Sequence, residues 1–322
     1  MPRSVLVIVN PTSGSSEEVA SGQLETLFAE HDYRPEVRLT TAQGDAHDWA
    51  MVAKDDRFDC VAVVGGDGTI MEVISGMLTA QACLPLLVLP SGTGNLLART
   101  LHVPEDPVAA LHELLAGEAR LLDVGFIKNK KRYFIVAAGA GVDADTMRDA
   151  NRGEKARLGR RAYLIAIFRN LFQRRMRDVT LWLDDDTSVR VRAHTVLVFN
   201  ASELDIGPLR VGPGVTPHDG MLEVAVLRGV NAWSFVVDAW HLLSHKLRFR
   251  NAPDRYSVKH VRIEAEPPLL TQADGDVLGD TPLDIEVLPH AVEVVVPQAY
   301  INYIDPDKKA RPKNPVLDAF TD

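Results

Sequence analysis

A short apolar stretch that ends in a glycine-rich turn is the most constraining feature of this chain. Residues 61–69 read VAVVGGDGT, and apolar residues then recur at helical spacing between positions 70 and 78. A short, continuous apolar run is typical of a strand that is buried on both faces of a parallel sheet. The pattern therefore predicts a strand, a glycine turn and a helix in immediate succession.

The glycine turn has the properties of a phosphate site. Three glycines within residues 65–68 allow positive φ angles and leave no Cβ in the way of a ligand, so backbone N–H groups can reach phosphate oxygens. The following helix directs the positive end of its dipole to the same place. Asp67 would repel a phosphate unless a cation lay between them, which indicates Mg²⁺ and a nucleotide. The alternative is an ordinary strand-to-helix turn with Asp67 in solvent.

Composition narrows the class of protein. The 322 residues are 46% hydrophobic and 25% charged, as in a globular protein long enough for two domains. No segment approaches the roughly 18 apolar residues of a membrane span, and the run 5–9 is too short for a signal peptide. Two cysteines, Cys60 and Cys83, fit a reducing compartment. We therefore expect a cytoplasmic protein without a transmembrane segment, and the net charge of −9 argues against nucleic-acid binding.

The sequence pattern of the chain changes after residue 122. Before that point, strand-like runs alternate with polar turns and helices, which predicts a doubly wound parallel sheet with its turns along one edge. Residues 123–298 contain alternating apolar runs and turns rich in Gly, Pro, Asp and Asn, which predict an antiparallel β-sandwich. Two helical segments, 155–177 and 233–245, interrupt it. The domains are thus 1–122 and 123–298, and the tail 299–322 is expected to return to the N-terminal domain.

Three turns together resemble the signature of a known family. Residues 10–14 (NPTSG), 65–69 (GGDGT) and 91–99 (SGTGNLLAR) are similar to motifs of the diacylglycerol kinase catalytic-domain family, and residues 272–276 (QADGD) resemble its late Asp-Gly-Glu motif. This family includes bacterial lipid kinases and sphingosine kinases, and it is related to NAD kinases and phosphofructokinases. The resemblance spans nearly the whole chain. It implies an NAD kinase/phosphofructokinase-like N-terminal domain, a C-terminal β-sandwich and an active site in the cleft between them.

The resemblance implies catalytic roles for three carboxylates and a metal-binding role for a fourth, Asp123. Asp274 resembles the general base, with Asp276 in the same turn, and Asp67 resembles the residue that organises Mg²⁺ near the phosphates, with Asp123 assisting. Two departures weaken the match. Leu96 stands where many relatives have aspartate, and Asp276 stands where glutamate is usual.

The resemblance also implies binding residues. A structural Mg²⁺ would be held by the carbonyls of Thr216 and Met221 and by the side chain of Asp219. The residues expected to contact ATP are Asn10, Pro11, Thr12, Ser13, Gly14, one of Thr40 and Thr41, Gly66, Asp67, Gly68, Thr69, Ile70, Met71, Glu72 and Thr93.

The residues around Asp274 favour two interpretations. Asp274 follows the apolar pair Leu269 and Leu270 and precedes Gly275, so a strand end would present two carboxylates in a tight turn. Phosphoryl transfer needs a group that takes the proton of the acceptor hydroxyl, which is the role of a base. Asp-Gly in a β-rich region is also a common hairpin turn. The residues alone leave both interpretations open.

Segment 155–177 is basic and amphipathic. It carries lysines and arginines, no acidic residue, and an apolar stripe that includes Tyr163, Ile167 and Leu171. This pattern predicts a helix that docks on an anionic membrane surface. The alternative is a packed helix whose basic face is merely solvated.

We therefore predict an ATP- and Mg²⁺-dependent lipid kinase that phosphorylates the hydroxyl of a diacylglycerol-like lipid at a membrane surface. No nucleic-acid partner is expected, and an exposed edge strand in the β-rich half makes a homodimer possible. One alternative is a soluble NAD-type kinase, because that group shares GGDGT. Another is a catalytically weak nucleotide- or lipid-binding protein, because of Leu96 and Asp276. The sequence leaves the lipid open among diacylglycerol, phosphatidylglycerol, sphingoid bases and monoacylglycerol.

Overall fold

The computed structural model describes residues 3–14, 22–54, 57–141, 176–184, 187–201, 204–206, 209–211, 216–228 and 255–305. The predicted helical segments fall outside these ranges, except that residues 176 and 177 are described. The chain divides into two compact units. The first is Met1–Leu122 with His290–Asp322, and the second is Asp123–Pro289.

The first unit is an α/β fold built on a parallel sheet. Its strands pair in the order β2, β1, β3, β4, and all neighbours are parallel. The elements are β1 (Arg3–Val9), α1 (Gln23–Glu30), β2 (Tyr33–Leu39), α2 (Asp45–Met51), β3 (Cys60–Gly65), α3 (Asp67–Ala80), β4 (Leu86–Pro90), α4 (Leu96–Thr100), α5 (Pro107–Leu115) and, near the C-terminus, α6 (Gln298–Ile304). The predicted α/β class with a parallel sheet is confirmed.

Burial explains why these segments form strands and helices. All six residues of β3 are buried, as expected of a central parallel strand covered by helices on both faces. In α3 the buried side chains include Ile70, Ile74 and Met77, which recur at helical spacing and face the core. Because neighbouring strands are parallel, the turns that follow β1, β3 and β4 lie along one edge of the sheet.

The second unit is a β-sandwich. One antiparallel sheet has the order β9, β8, β15, β18, and the other has the order β14, β13, β10, β7, β16, β17. The strands are β5 (Glu118–Ile127), β6 (Arg132–Phe134), β7 (Ala137–Ala140), β8 (Arg177–Leu183), β9 (Thr187–Ala193), β10 (Thr195–Phe199), β11 (Leu204–Ile206), β12 (Leu209–Val211), β13 (Leu222–Leu227), β14 (Arg255–Val258), β15 (His260–Glu266), β16 (Leu270–Ala273), β17 (Asp276–Asp280) and β18 (Leu283–Val296), of which β5 and β18 also extend into the first unit.

A single apolar core joins the two sheets of the second unit. Leu181 and Ile263 from one sheet and Val198 and Val224 from the other belong to the same buried cluster. Alternating residues on each strand supply this core, which is the arrangement of a sandwich. The predicted antiparallel β-sandwich is therefore confirmed.

The second domain boundary differs from the prediction. Residues up to 298 were assigned to the β-sandwich, but the contacts place His290–Asp322 with the first unit. The reason is that β18 changes partners along its length. Its beginning pairs with β15, whereas Val294 pairs in parallel with Leu86 of β4. Within the described ranges, no helix is both long and apolar enough to cross a membrane.

We predict that Gly76→Ala destabilises the first unit. A Cβ at Gly76 would lie 2.3 Å from the His47 carbonyl oxygen and 2.9 Å from the Ala50 Cβ, so α2 would have to move away from α3. Overpacking of this kind costs about 1–3 kcal/mol, although alanine favours helix by about 1 kcal/mol over glycine. Denaturant unfolding should show a net loss of stability. Thr79→Ala, at an exposed position of the same helix, is the control and should not lose stability. A Gly76→Ala protein as stable as this control would contradict the prediction.

Candidate active site

Three turns of the first unit meet where β1, β3 and β4 end. The Asn10 N–H donates to the Val64 carbonyl oxygen at 2.9 Å, and the Ser91 N–H donates to the Gly65 carbonyl oxygen at 3.0 Å. The hydroxyls of Ser13 and Ser91 lie 2.5 Å apart, within hydrogen-bond distance. The structure thus brings together the three motifs that the sequence singles out in this domain.

The Asn10 side chain connects the first turn to helix α3. Its Nδ2 donates to the Thr69 Oγ1 at 2.8 Å. Its Oδ1 accepts from the backbone N–H and the hydroxyl of Thr12, at 3.0 Å and 2.8 Å. An asparagine that bonds to the residue two positions later forms a side-chain-closed turn. Asn10 therefore fixes the position of the hydroxyl-bearing turn relative to the start of α3.

The glycines of these turns serve two different purposes. A Cβ at Gly92 would lie 2.6 Å from the Gly66 Cα, and a Cβ at Gly14 would lie 2.1 Å from the Ser91 carbonyl oxygen. Both glycines are therefore required for one backbone to approach another. At Gly68 a Cβ would meet nothing within 4 Å, and this residue is exposed in the first turn of α3. N–H groups in the first turn lack helical acceptors, so this surface is suited to an anion.

Asp67 is the carboxylate at this helix start. Its Oδ1 accepts the Leu96 N–H at 2.6 Å, so α3 and α4 are tied together. Burial raises the pKa of Asp67, and hydrogen bonds from the backbone at Leu96, Leu97 and Asn95 oppose the rise without cancelling it. A partly buried carboxylate of this kind is stabilised by a nearby cation. Position 96 supplies a backbone N–H to Asp67 and no second carboxylate.

The loop after β2 carries the two threonines that were predicted near ATP. Thr40 is buried, whereas Thr41 is exposed and donates to the Asp45 Oδ2 from its N–H (2.7 Å) and its hydroxyl (2.8 Å). These bonds from Thr41 are the main reason that the pKa of Asp45 is lowered. Glu72 of α3 accepts the Gly44 N–H at 3.1 Å, so it fastens this loop to the same helix.

The remaining predicted nucleotide contacts differ in exposure. Pro11, Thr12 and Thr93 are exposed. Ile70 and Met71 are buried in the core, and the Ile70 N–H donates to the Gly66 carbonyl oxygen within the helix. A nucleotide contact by these two side chains stays a prediction that their burial does not favour.

Two residues of the third turn were not among the predicted contacts although they lie in the quoted motif. Asn95 is 4% exposed; its Nδ2 donates to the Gly92 carbonyl oxygen at 2.9 Å, and its Oδ1 accepts the Gly92 N–H at 3.0 Å. Asn95 also adopts φ 49°, a left-handed conformation that asparagine tolerates. Ser91, which bonds to Ser13, is the second. Asn95 and Ser91 both lie next to glycines of the motif, and this position in the sequence could have predicted their role.

In the second unit, Asp274 lies in the turn of the β16–β17 hairpin. The two strands pair antiparallel, and Asp274 and Gly275 both have positive φ, at 43° and 94°. Two residues of left-handed conformation are typical of a tight hairpin turn. The hairpin interpretation is therefore confirmed, and it is compatible with a chemical role.

Backbone donors hold the Asp274 carboxylate in place. Its Oδ2 accepts the Ile135 N–H at 2.8 Å, and its Oδ1 accepts the N–H groups of Val136 and Ala137 at 3.1 Å and 2.9 Å. The Asp274 N–H donates in return to the Ala137 carbonyl oxygen at 2.9 Å. Charge-assisted bonds from backbone are strong and directional. The carboxylate thus has a fixed orientation, as a catalytic group requires. Asp276 differs, because it is exposed and paired with Arg132.

Asp123 is fully buried beside the loop that was predicted to hold a structural Mg²⁺. Its Oδ2 accepts the Gly220 N–H at 2.7 Å, and its own N–H donates to the Pro217 carbonyl oxygen at 2.8 Å. Within the loop, the Asp219 Oδ1 accepts the Met221 N–H at 3.0 Å. The part of the chain that the structure describes contains no group of three or more His, Cys, Asp or Glu side chains that could hold a metal. A metal site at Thr216, Asp219 and Met221, built largely from carbonyls, stays a prediction.

Two family models match the chain and cover both units. Residues 4–127 match the diacylglycerol kinase catalytic domain, and residues 136–296 match the YegS C-terminal NAD kinase beta sandwich-like domain. The chain therefore belongs to the diacylglycerol kinase catalytic-domain family, which is a family of lipid kinases.

Individual relatives agree with this assignment. The chain is 27% identical over 308 residues to the diacylglycerol kinase of Bacillus subtilis strain 168, covering 93% of this chain and 98% of that protein. It is also similar to a crystal structure of a diacylglycerol kinase from Bacillus anthracis strain Sterne. That structure has a TM-score of 0.74 and 25% identity, and the match covers 92% of this chain and 98% of that chain.

We predict that Asp67→Asn stabilises the protein at neutral pH. Because burial raises the pKa of Asp67 above 3.8, the folded state holds this proton more tightly than the unfolded chain. The stability that protonated Asp67 contributes to the wild-type protein is then lost as the pH rises from the pKa of the unfolded chain to the higher pKa of the folded state. Asparagine keeps an oxygen for the Leu96 N–H. Without Mg²⁺ or nucleotide, the Tm of the variant relative to wild type should increase as the pH rises from about 4 to about 7.

Asp45→Asn is the matched control and should behave in the opposite way. Hydrogen bonds from Thr41 lower the pKa of Asp45, so its contribution is present above 3.8 and is lost as the pH falls through the lower folded value. The variant should be less stable than wild type at neutral pH, and the difference should shrink in acid. A loss of stability at neutral pH in both variants would show that burial does not dominate at Asp67.

Proposed function

We propose that the protein transfers the γ-phosphate of ATP to the hydroxyl of a diacylglycerol-like lipid, with Mg²⁺ as the second cofactor. The observation that carries this proposal is the desolvated Asp67 carboxylate at the open N-terminus of α3. That helix start favours a phosphate, and the carboxylate beside it favours a cation. A magnesium-bound nucleotide supplies both the phosphate and the cation. The acceptor class is supported by family membership and by the name of the Bacillus subtilis relative.

The residues around Asp67 fit the phosphates of a nucleotide. The first-turn N–H groups near Gly68 supply donors, whereas the hydroxyls of Thr12 and Ser13 donate to Asn10 and shape the neighbouring turn. No Walker-type lysine is needed for this arrangement. Bound Mg²⁺ would neutralise charge on the phosphate oxygens, and Asp67 would hold it through water. Asn10 and Asn95 keep the turns rigid, so the donors are in place before the nucleotide binds.

Asp274 is the proposed general base. As the lipid oxygen bonds to the γ-phosphorus, the bond from that phosphorus to the bridging oxygen breaks, ADP leaves with the electron pair, and the hydroxyl proton passes to Asp274. Asp274 suits this role better than Asp276, because its orientation is fixed by three backbone donors, whereas Asp276 is exposed and engaged with Arg132.

A lipid acceptor also requires access to a membrane surface. We propose that the basic segment 155–177 provides it by contact with anionic lipid. Co-sedimentation with vesicles should increase with their anionic lipid content, and binding that is independent of that content would contradict this role. A cytoplasmic location with peripheral membrane association follows from this proposal, and homodimer formation stays a prediction.

The proposed reaction predicts distinct defects for two carboxylates. With labelled ATP, Mg²⁺ and a total lipid extract, wild type should yield a labelled product that partitions into organic solvent. Asp67→Ala should abolish metal-dependent transfer. Asp274→Asn should bind ATP like wild type yet transfer roughly 10²- to 10⁴-fold more slowly, because a general base contributes about that much.

Asp280→Asn serves as the control, because Asp280 is an exposed carboxylate on the same hairpin. Its rate should equal that of wild type. The chromatographic mobility of the labelled product identifies the acceptor lipid. Label confined to the aqueous phase would instead support an NAD-type acceptor. ATP binding without any transfer would support a nucleotide-binding protein, and full activity in Asp274→Asn would remove Asp274 from the base role.

A further inference from the structure

Two successive peptide units lie between Asp274 and Asn200. In the unit that joins residues 135 and 136, the N–H of Val136 donates to the Asp274 Oδ1 at 3.1 Å, while the carbonyl of Ile135 accepts from the Asn200 Nδ2 at 2.9 Å. In the next unit, the N–H of Ala137 donates to the same Oδ1 at 2.9 Å, and the carbonyl of Val136 accepts from the Asn200 N–H at 3.0 Å. Asn200 therefore binds the opposite end of two of the three peptide groups that donate to Asp274.

The orientation of the Asn200 amide is defined by its partners. Its Nδ2 donates to two backbone carbonyls, those of Ile135 (2.9 Å) and Asp123 (2.8 Å), so the nitrogen must face them. The residue is fully buried, and its Oδ1 accepts no bond from the residues that the structure describes. A buried acceptor without a partner is costly. The two donated bonds are therefore the interactions that distinguish asparagine here from an apolar residue of similar size.

We infer that Asn200 is a positioning residue for the Asp274 carboxylate, an inference that rests on the proposed role of Asp274 as base. Hydrogen bonds in series polarise one another, so a donor on the Ile135 carbonyl strengthens donation from the Val136 N–H to Asp274. The same bonds prevent the 135–137 segment from rotating. Asn200 does not touch the reacting atoms; it holds the peptide groups that hold the base.

Asn200 also connects this segment to the loop at 216–221. The Asp123 carbonyl accepts from its Nδ2, while the Asp123 N–H and Oδ2 bond to Pro217 and Gly220 of that loop. One side chain thus links the base to the loop that was predicted to hold a structural metal. This link gives the loop a route by which its conformation can affect transfer.

The test compares Asn200→Ala with Asn129→Ala in the full chain. Asn129 is a matched control in the same unit, because its side chain also bonds to backbone, at the Pro282 carbonyl (2.7 Å) and the Asp284 N–H (3.1 Å), away from Asp274. With labelled ATP and lipid extract, Asn200→Ala should lower kcat about 10- to 100-fold, as expected for a misplaced catalytic group, with KM for ATP within about twofold. Asn129→Ala should keep the wild-type kcat.

A double variant separates positioning from loss of stability. In the Asp274→Asn background, adding Asn200→Ala should cause no further loss in single-turnover transfer, because residues that act as a unit are not additive. An equal loss in both backgrounds would overturn the inference. Tm values establish that each variant is folded at the assay temperature. If Asn200→Ala does not fold, Asn200→Asp replaces it in the test, because aspartate keeps the side-chain volume. This variant should show the same loss in kcat with an unchanged KM for ATP.

The outcomes separate this inference from the proposed function. Wild-type transfer by a folded Asn200 variant, with Asp274→Asn inactive, would overturn only the positioning role. Wild-type transfer by Asp274→Asn would overturn the base assignment itself. If neither Asn200→Ala nor Asn200→Asp folds, the residue is structural and the inference fails.

Discussion

The close contact between Gly66 and Gly92 is the constraint on which the candidate nucleotide site depends. A Cβ at Gly92 would lie 2.6 Å from the Gly66 Cα, so any side chain there would push apart the turns after β3 and β4. With both glycines present, the Leu96 N–H reaches Asp67 and the Ser91 hydroxyl reaches Ser13. The glycine-rich motif is thus mainly a requirement of backbone packing, and Gly68 is the position where it leaves room for a ligand.

The two central carboxylates have contrasting environments. Asp67 is desolvated, and the bond from the Leu96 N–H does not fully compensate, so its pKa is raised. Asp274 has three backbone donors. The contrast matches the proposed division of labour. A carboxylate whose desolvation is not offset by hydrogen bonds is stabilised most by a cation. A carboxylate that is already held by hydrogen-bond donors acts through its orientation. On the proposed function, the charge of Asp67 that is unfavourable without ligand would be compensated by the bound cation.

Local patterns predicted the fold and the three N-terminal turns because each depends on neighbours in sequence. For example, the buried strand β3 and the glycine turn after it were both predicted from consecutive residues. Contacts between distant residues carry no such signal. Asn200 bonds to Asp123 and Ile135, which precede it by 77 and 65 positions, and no motif marks it. The change of partners along β18 was missed for the same reason, since one apolar strand pattern fits either sheet.

The departure at position 96 affects how Mg²⁺ would bind. Leu96 uses its backbone N–H to hold Asp67, a bond that any non-proline residue provides, so the Asp67 carboxylate keeps its place without an aspartate there. What the leucine removes is a second negative charge. With one carboxylate at this helix start, the proposed Mg²⁺ must take most of its ligands from phosphate oxygens and water. Metal and nucleotide would then bind interdependently, and ATP would carry the ion into the site.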